Sequence, residues 1–117
     1  MMKLKLGMSF MLLVMFSLVG TAQVKTESFK VYGNCGMCES RIEKAANAVE
    51  GVSAADWNKE TKMLAITVDT TKVEVHTVMM AVAKVGHDTE EYKAEDAVYA
   101  KLHACCKYDR ESIPENQ

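Results

Sequence analysis

Tyr32-Gly33-Asn34-Cys35-Gly36-Met37-Cys38-Glu39-Ser40-Arg41-Ile42 is the stretch that decides how this chain is read. Phe29 and Val31 alternate with Lys30 and Tyr32 just before it, the period of a half-buried strand. Gly33 and Asn34 punctuate that run. From Cys38 onward, Ile42, Ala45/Ala46 and Val49 recur at helical spacing, and Gly51 supplies a stop. Two cysteines therefore sit where a helix begins. Free backbone amides and the helix dipole favour negative charge there, which lowers a thiol pKa. A thiolate is the form that binds soft metals and attacks disulfides. By itself, Cys-x-x-Cys suits a metal site, a redox dithiol or a structural disulfide.

Upstream, Lys3 and Lys5 precede an uncharged apolar run from Met8 to Val19, followed by small residues at Gly20-Thr21-Ala22. That pattern predicts a signal peptide over residues 1–22, and the run is short for a membrane span. The mature chain is then expected to be periplasmic or secreted and not membrane-spanning. Without Lys3 and Lys5, 12 of the 14 basic side chains face all 16 acidic ones. No basic run or aromatic-basic interleaving is present, which argues against nucleic acid as a partner. The four cysteines fall in two close pairs, Cys35/Cys38 and Cys105/Cys106. Export makes disulfides available to them.

Downstream the elements follow in order. A strand is expected over 28–33 and a helix over 38–50. A hairpin of strands follows, running to about Asn58 and from Met63 to Asp69. Thr71 and Glu74 have the spacing of a capping box for a helix over 72–85, ended by Gly86. A short edge strand is expected over 87–93. Strand, helix, strand, strand, helix, strand makes an α+β fold, a ferredoxin-like βαββαβ two-layer sandwich over 23–93. Residues 94–117 add a C-terminal helix over 95–108 that carries the Cys-Cys motif, then a loose polar tail.

In this order the chain resembles the heavy-metal-associated domain family, which includes copper chaperones and the periplasmic mercury-binding protein. The resemblance rests on Cys35-x-x-Cys38 between strand and helix, Gly51-Val52, the hairpin ending at Asp69, and Gly86. It implies a two-thiolate metal site at Cys35 and Cys38. It also makes His87, just after the glycine of the second helix, a candidate third ligand, against an exposed histidine that only tunes charge. Two departures stand out. Gly33 occupies the place, two residues before the first cysteine, where the family usually has a buried methionine, and Met37 lies inside the motif. The C-terminal cysteines are the other departure.

Two thiolates from one loop suit Cu(I) first and Hg(II) by the same softness, whereas Zn(II) usually takes four ligands. The function expected is therefore metal buffering or transfer by ligand exchange, not catalysis. The partner would be a metal-transporting membrane protein or another metal-binding domain. The alternative is a periplasmic thiol-disulfide oxidoreductase using the same cysteines, although the only proline, Pro114, lies in the tail and not in a strand facing them. Cys105 and Cys106 admit three readings: further ligands with or without His103, disulfide partners of Cys35 or Cys38, or helix residues with no metal role.

Overall fold

The computed structural model describes residues 23–114; the expected signal peptide and the last three residues of the tail lie outside the described residues. Among them, β1 is Val24–Lys30, α1 Gly36–Asn47, β2 Val52–Trp57, β3 Met63–Asp69, α2 Val75–Lys84 and α3 Asp96–Ala100, with a 3-10 turn at Ala104–Cys106. The sheet is antiparallel in the order β1-β3-β2. Leu64, Ile66 and Val68 of β3 are buried while the residues between them are half-buried, so one sheet face carries the core. Ile42 and Ala46 of α1 and Val78, Met79 and Val82 of α2 cover that face with their apolar stripes. No described helix is long and apolar enough to cross a membrane.

The ferredoxin-like order holds, with corrections at its edges. The first strand begins before the expected residue 28, because β1 pairs along its whole length with β3, from Val24 opposite Asp69 to Lys30 opposite Met63. Backbone pairing there outweighs the poor apolar content. The fourth strand over 87–93 shrinks to one bridge, Val31 with Thr89. His87, Asp88 and Thr89 are buried in succession, so they do not alternate as a strand edge would. Their polar groups bond to side chains and turns instead: the Asp88 carboxylate accepts from Ala94 N–H, and Thr89 Oγ1 accepts from Tyr92 N–H.

The capping box does not form. Asp69 Oδ1 accepts from both the amide and the hydroxyl of Thr71, and α2 starts later, at Val75. The expected C-terminal helix over 95–108 is broken into α3 and the 3-10 turn. Leu102 turns inward to pack on Gly86, which has a left-handed φ of +108° and no room for a side chain, since a Cβ there would lie 2.9 Å from Leu102 Cδ2. The tail is not loose at Arg110, which is tied to Asp88, Asp96 and the carbonyl of Ala94.

Candidate metal centre

Cys35 caps α1 in extended backbone, and Glu39 N–H donates to its carbonyl. The loop before it is held from three sides. Tyr32 N–H donates to the Asp88 carbonyl at 2.9 Å, Lys62 Nζ donates to the Gly33 carbonyl at 2.7 Å, and Asn34 N–H donates to Cys38 Sγ at 3.3 Å. Gly33 is needed for packing: a Cβ there would come within 3.1 Å of Cys38 Cβ and 3.2 Å of the Trp57 ring. Trp57 thus fills the space beneath the loop, and its indole N–H donates to the Val31 carbonyl at 2.9 Å.

Four thiols meet at this loop, all of them free. Cys35 Sγ lies 3.6 Å from Cys38 Sγ, 3.4 Å from Cys105 Sγ and 3.7 Å from Cys106 Sγ. The sulfurs of Cys35, Cys105 and Cys106 all lie within 4.8 Å of one another. A fifth sulfur is close, because Met37 Sδ lies 3.6 Å from Cys105 Sγ on the exposed side. Cys38 and Cys106 are buried, Cys35 is half-buried and Cys105 is exposed.

Charge is distributed unevenly over the thiols. The Cys38 amide at the start of α1 donates to Cys35 and holds its thiol down to about 6, with help from the thiols of Cys105 and Cys38 and against some burial. Cys106 is pushed up to about 12, first by burial and then by sharing hydrogen bonds with Cys38 and Cys35, although Arg41 Nη1 lies 3.5 Å from its sulfur. Cys105 is raised, first by its side-chain hydrogen bond with Cys35 and then by burial. At neutral pH the Cys35 thiolate therefore sits beside the protonated thiols of Cys105 and Cys106, whose protons an entering cation can replace.

His87, the candidate third ligand, is fully buried, so the alternative of an exposed histidine that only tunes charge does not hold. Its Nδ1 lies 2.8 Å from the Tyr32 carbonyl, its ring stacks on Tyr108, and its buried Nε2 has no partner among the described residues. Burial holds its pKa below the usual histidine value. It is not among the residues whose ligand atoms cluster. His103 is exposed at the start of the 3-10 turn and also lies outside the cluster. His76 is on the surface, within 3.0 Å of Glu91. Sequence reasoning missed Arg41, which lies one turn after Cys38 on α1. It also missed Lys62, Asp88, Tyr108 and Arg110, which no local period marks.

Fold and site together define a small α+β metal-binding domain with a thiol cluster at its first helix. The chain belongs to the heavy-metal-associated domain family: residues 28–88 match the model of that domain. The copper chaperone CopZ of Staphylococcus aureus is 36% identical over 55 residues, 47% of this chain and 81% of that protein. A solved CopZ metallochaperone superposes with a TM-score of 0.54 at 35% identity, over 56% of this chain and 98% of the other. Oxidised MerP from Ralstonia metallidurans CH34 gives 0.55 at 32% identity, over 57% and 94%. The matched segment ends before Cys105 and Cys106.

Proposed function

We propose that this protein is an exported carrier that binds Cu(I) through Cys35 and Cys38 and buffers it or passes it on by ligand exchange. The observation that carries the reading is the Cys35 thiol, held down to about 6 at the start of α1 and surrounded by the other three thiols. A soft, polarisable thiolate set selects monovalent copper and, by the same softness, Hg(II). Relatives named copper chaperones support copper as the cargo. The half-buried Cys35 and exposed Cys105 leave the sulfurs open to an incoming thiol, so a metal-transporting membrane protein or a second metal-binding domain is the fitting partner. The role is transfer and not catalysis, in the periplasm or outside the cell once residues 1–22 are removed.

Native mass spectrometry of the reduced mature chain under anaerobic Cu(I), Zn(II) and Hg(II) tests this. One tightly held Cu(I), lost in Cys35→Ser/Cys38→Ser, is the expected result. A reduced protein that takes no soft ion yet catalyses disulfide reduction in a substrate protein would sink the carrier and leave an oxidoreductase.

A further inference from the structure

The sulfur spacings differ from those of an open two-coordinate site. Around a metal with sulfur bonds of about 2.3 Å, two sulfurs in a line lie about 4.6 Å apart and two at the tetrahedral angle about 3.8 Å apart. From Cys35 the three neighbouring sulfurs lie at 3.6, 3.4 and 3.7 Å. All three are close to the edge of a tetrahedron, and the Cys35–Cys38 separation is too short for a linear pair; Cys35, Cys105 and Cys106 lie within 4.8 Å of one another, and Cys38 joins them through its contact with Cys35.

The other two thiols arrive on a segment that is built in place. Leu102, Cys106 and Tyr108 are buried. The Tyr108 hydroxyl donates to the Gly86 carbonyl at 2.9 Å and accepts from Asp88 N–H at 2.8 Å. Arg110 grips the fully buried Asp88 carboxylate with Nε and Nη2, both at 2.9 Å, and its guanidinium lies 4.5 Å over the Tyr99 ring. Asp88 precedes Thr89, whose bridge to Val31 adjoins the Cys35 loop. One fastener therefore fixes the register between the strap and the loop. Packing explains a buried Cys106. It does not explain Cys105, which is exposed and yet has its sulfur turned to both Cys35 and Met37.

We propose that residues 94–113 are a strap that brings Cys105 and Cys106 onto Cys35 and Cys38 as ligands. The strap makes a closed four-sulfur site for a d10 cation, with Arg110 as the positioning residue that fastens it. This deepens the carrier reading and rests on it. Binding displaces to solvent every proton that the four thiols still hold, those of Cys105 and Cys106 among them, with no change of oxidation state. Release runs the other way: an incoming thiolate adds to the metal from the exposed side, and Cys105 leaves first and regains a proton. The strap thus slows loss of the ion to small chelators, whereas a partner that displaces the strap reaches the Cys35/Cys38 pair.

Cd(II) is the probe, because its thiolate charge-transfer absorbance scales with the number of Cd–S bonds. It is added to the reduced full-length mature chain, and its removal by EDTA is then timed. The wild type should show about twice the absorbance of Cys105→Ser/Cys106→Ser, which should still bind one Cd(II) but lose it roughly tenfold faster or more. Arg110→Gln should reach wild-type absorbance at saturation and yet release Cd(II) several-fold faster. Tyr108→Phe should shift release in the same direction, and far-UV circular dichroism confirms that each variant is folded. Equal absorbance and equal release in the wild type and Cys105→Ser/Cys106→Ser overturn the four-sulfur site and leave the two-thiol carrier standing. Wild-type release from both folded Arg110→Gln and Tyr108→Phe overturns the fastener. Undiminished absorbance in Cys35→Ser/Cys38→Ser overturns the carrier reading itself, and a wild type that binds no Cd(II) overturns both.

Discussion

Cys35 is where local backbone and chemistry meet. Its thiol is held at about 6 chiefly by the Cys38 amide, so it is mostly thiolate at pH 7 and loses that charge as pH falls through about 6. An ordinary thiol makes the same change near 8.5. Alkylation by iodoacetamide, followed by peptide mass mapping across pH 5–9, should therefore show a midpoint for Cys35 some two pH units or more below that of an unfolded control. Cys106, buried and pushed up to about 12, should stay unmodified throughout. A Cys35 midpoint near 8.5 would mean that the helix-start amides do not reach it. The depressed thiol was legible from the sequence, since helix periodicity put Cys35 and Cys38 at a helix start. The packing beneath was not. Nothing in the spacing said that Trp57 fills the space at Gly33. Gly33→Ala should cost about 1–3 kcal/mol in urea unfolding, because the ring and Cys38 must both move. As Trp57 is the only tryptophan, its fluorescence reports that movement directly.

Elements were legible where burial alternates and obscure where side chains took over the hydrogen bonding. β3 was read from Leu64, Ile66 and Val68 because a one-sided sheet leaves that trace. The fourth strand was over-read because His87-Asp88-Thr89 bury polar side chains bonded to the turn that follows and to the distant Tyr32 and Arg110. The break between α3 and the 3-10 turn was missed because its cause is a contact across the chain, Leu102 on Gly86. That contact can be measured. Gly86→Ala combines a left-handed φ of +108° with a Cβ 2.9 Å from Leu102 Cδ2. It should cost about 1–3 kcal/mol from the backbone alone, with the clash in addition. Leu102→Ala removes the clash but not the backbone term. The double variant should therefore be more stable than the sum of the single costs predicts, by about 0.5–3 kcal/mol. Strict additivity would show that the 3-10 turn is held by something else.

At the scale of the whole molecule, the domain and its C-terminal segment are tied by a buried charge and by sulfur, and the two ties should report separately. Asp88 is fully buried, and Arg110 is the only cation paired with it among the described residues. Removing one partner of such a pair leaves an uncompensated charge inside and costs about 3–5 kcal/mol, a large part of the stability of a domain this small. Apo Arg110→Ala should therefore unfold at much lower urea than the wild type. The metal tie behaves differently. A cation joining Cys35 and Cys38 to Cys105 and Cys106 links positions about 70 residues apart, and it binds only the folded arrangement. At a free concentration 1,000 times the dissociation constant it adds about 4 kcal/mol. Urea midpoints should then rise with Cd(II) in both wild type and Arg110→Ala, and rise less in Cys105→Ser/Cys106→Ser. The comparison is made at one fixed free Cd(II), where the weaker site of the double serine variant gains less linkage energy. If Cd(II) stabilises that variant as much as the wild type, the C-terminal segment contributes nothing to the metal's hold, and Asp88–Arg110 serves the fold alone.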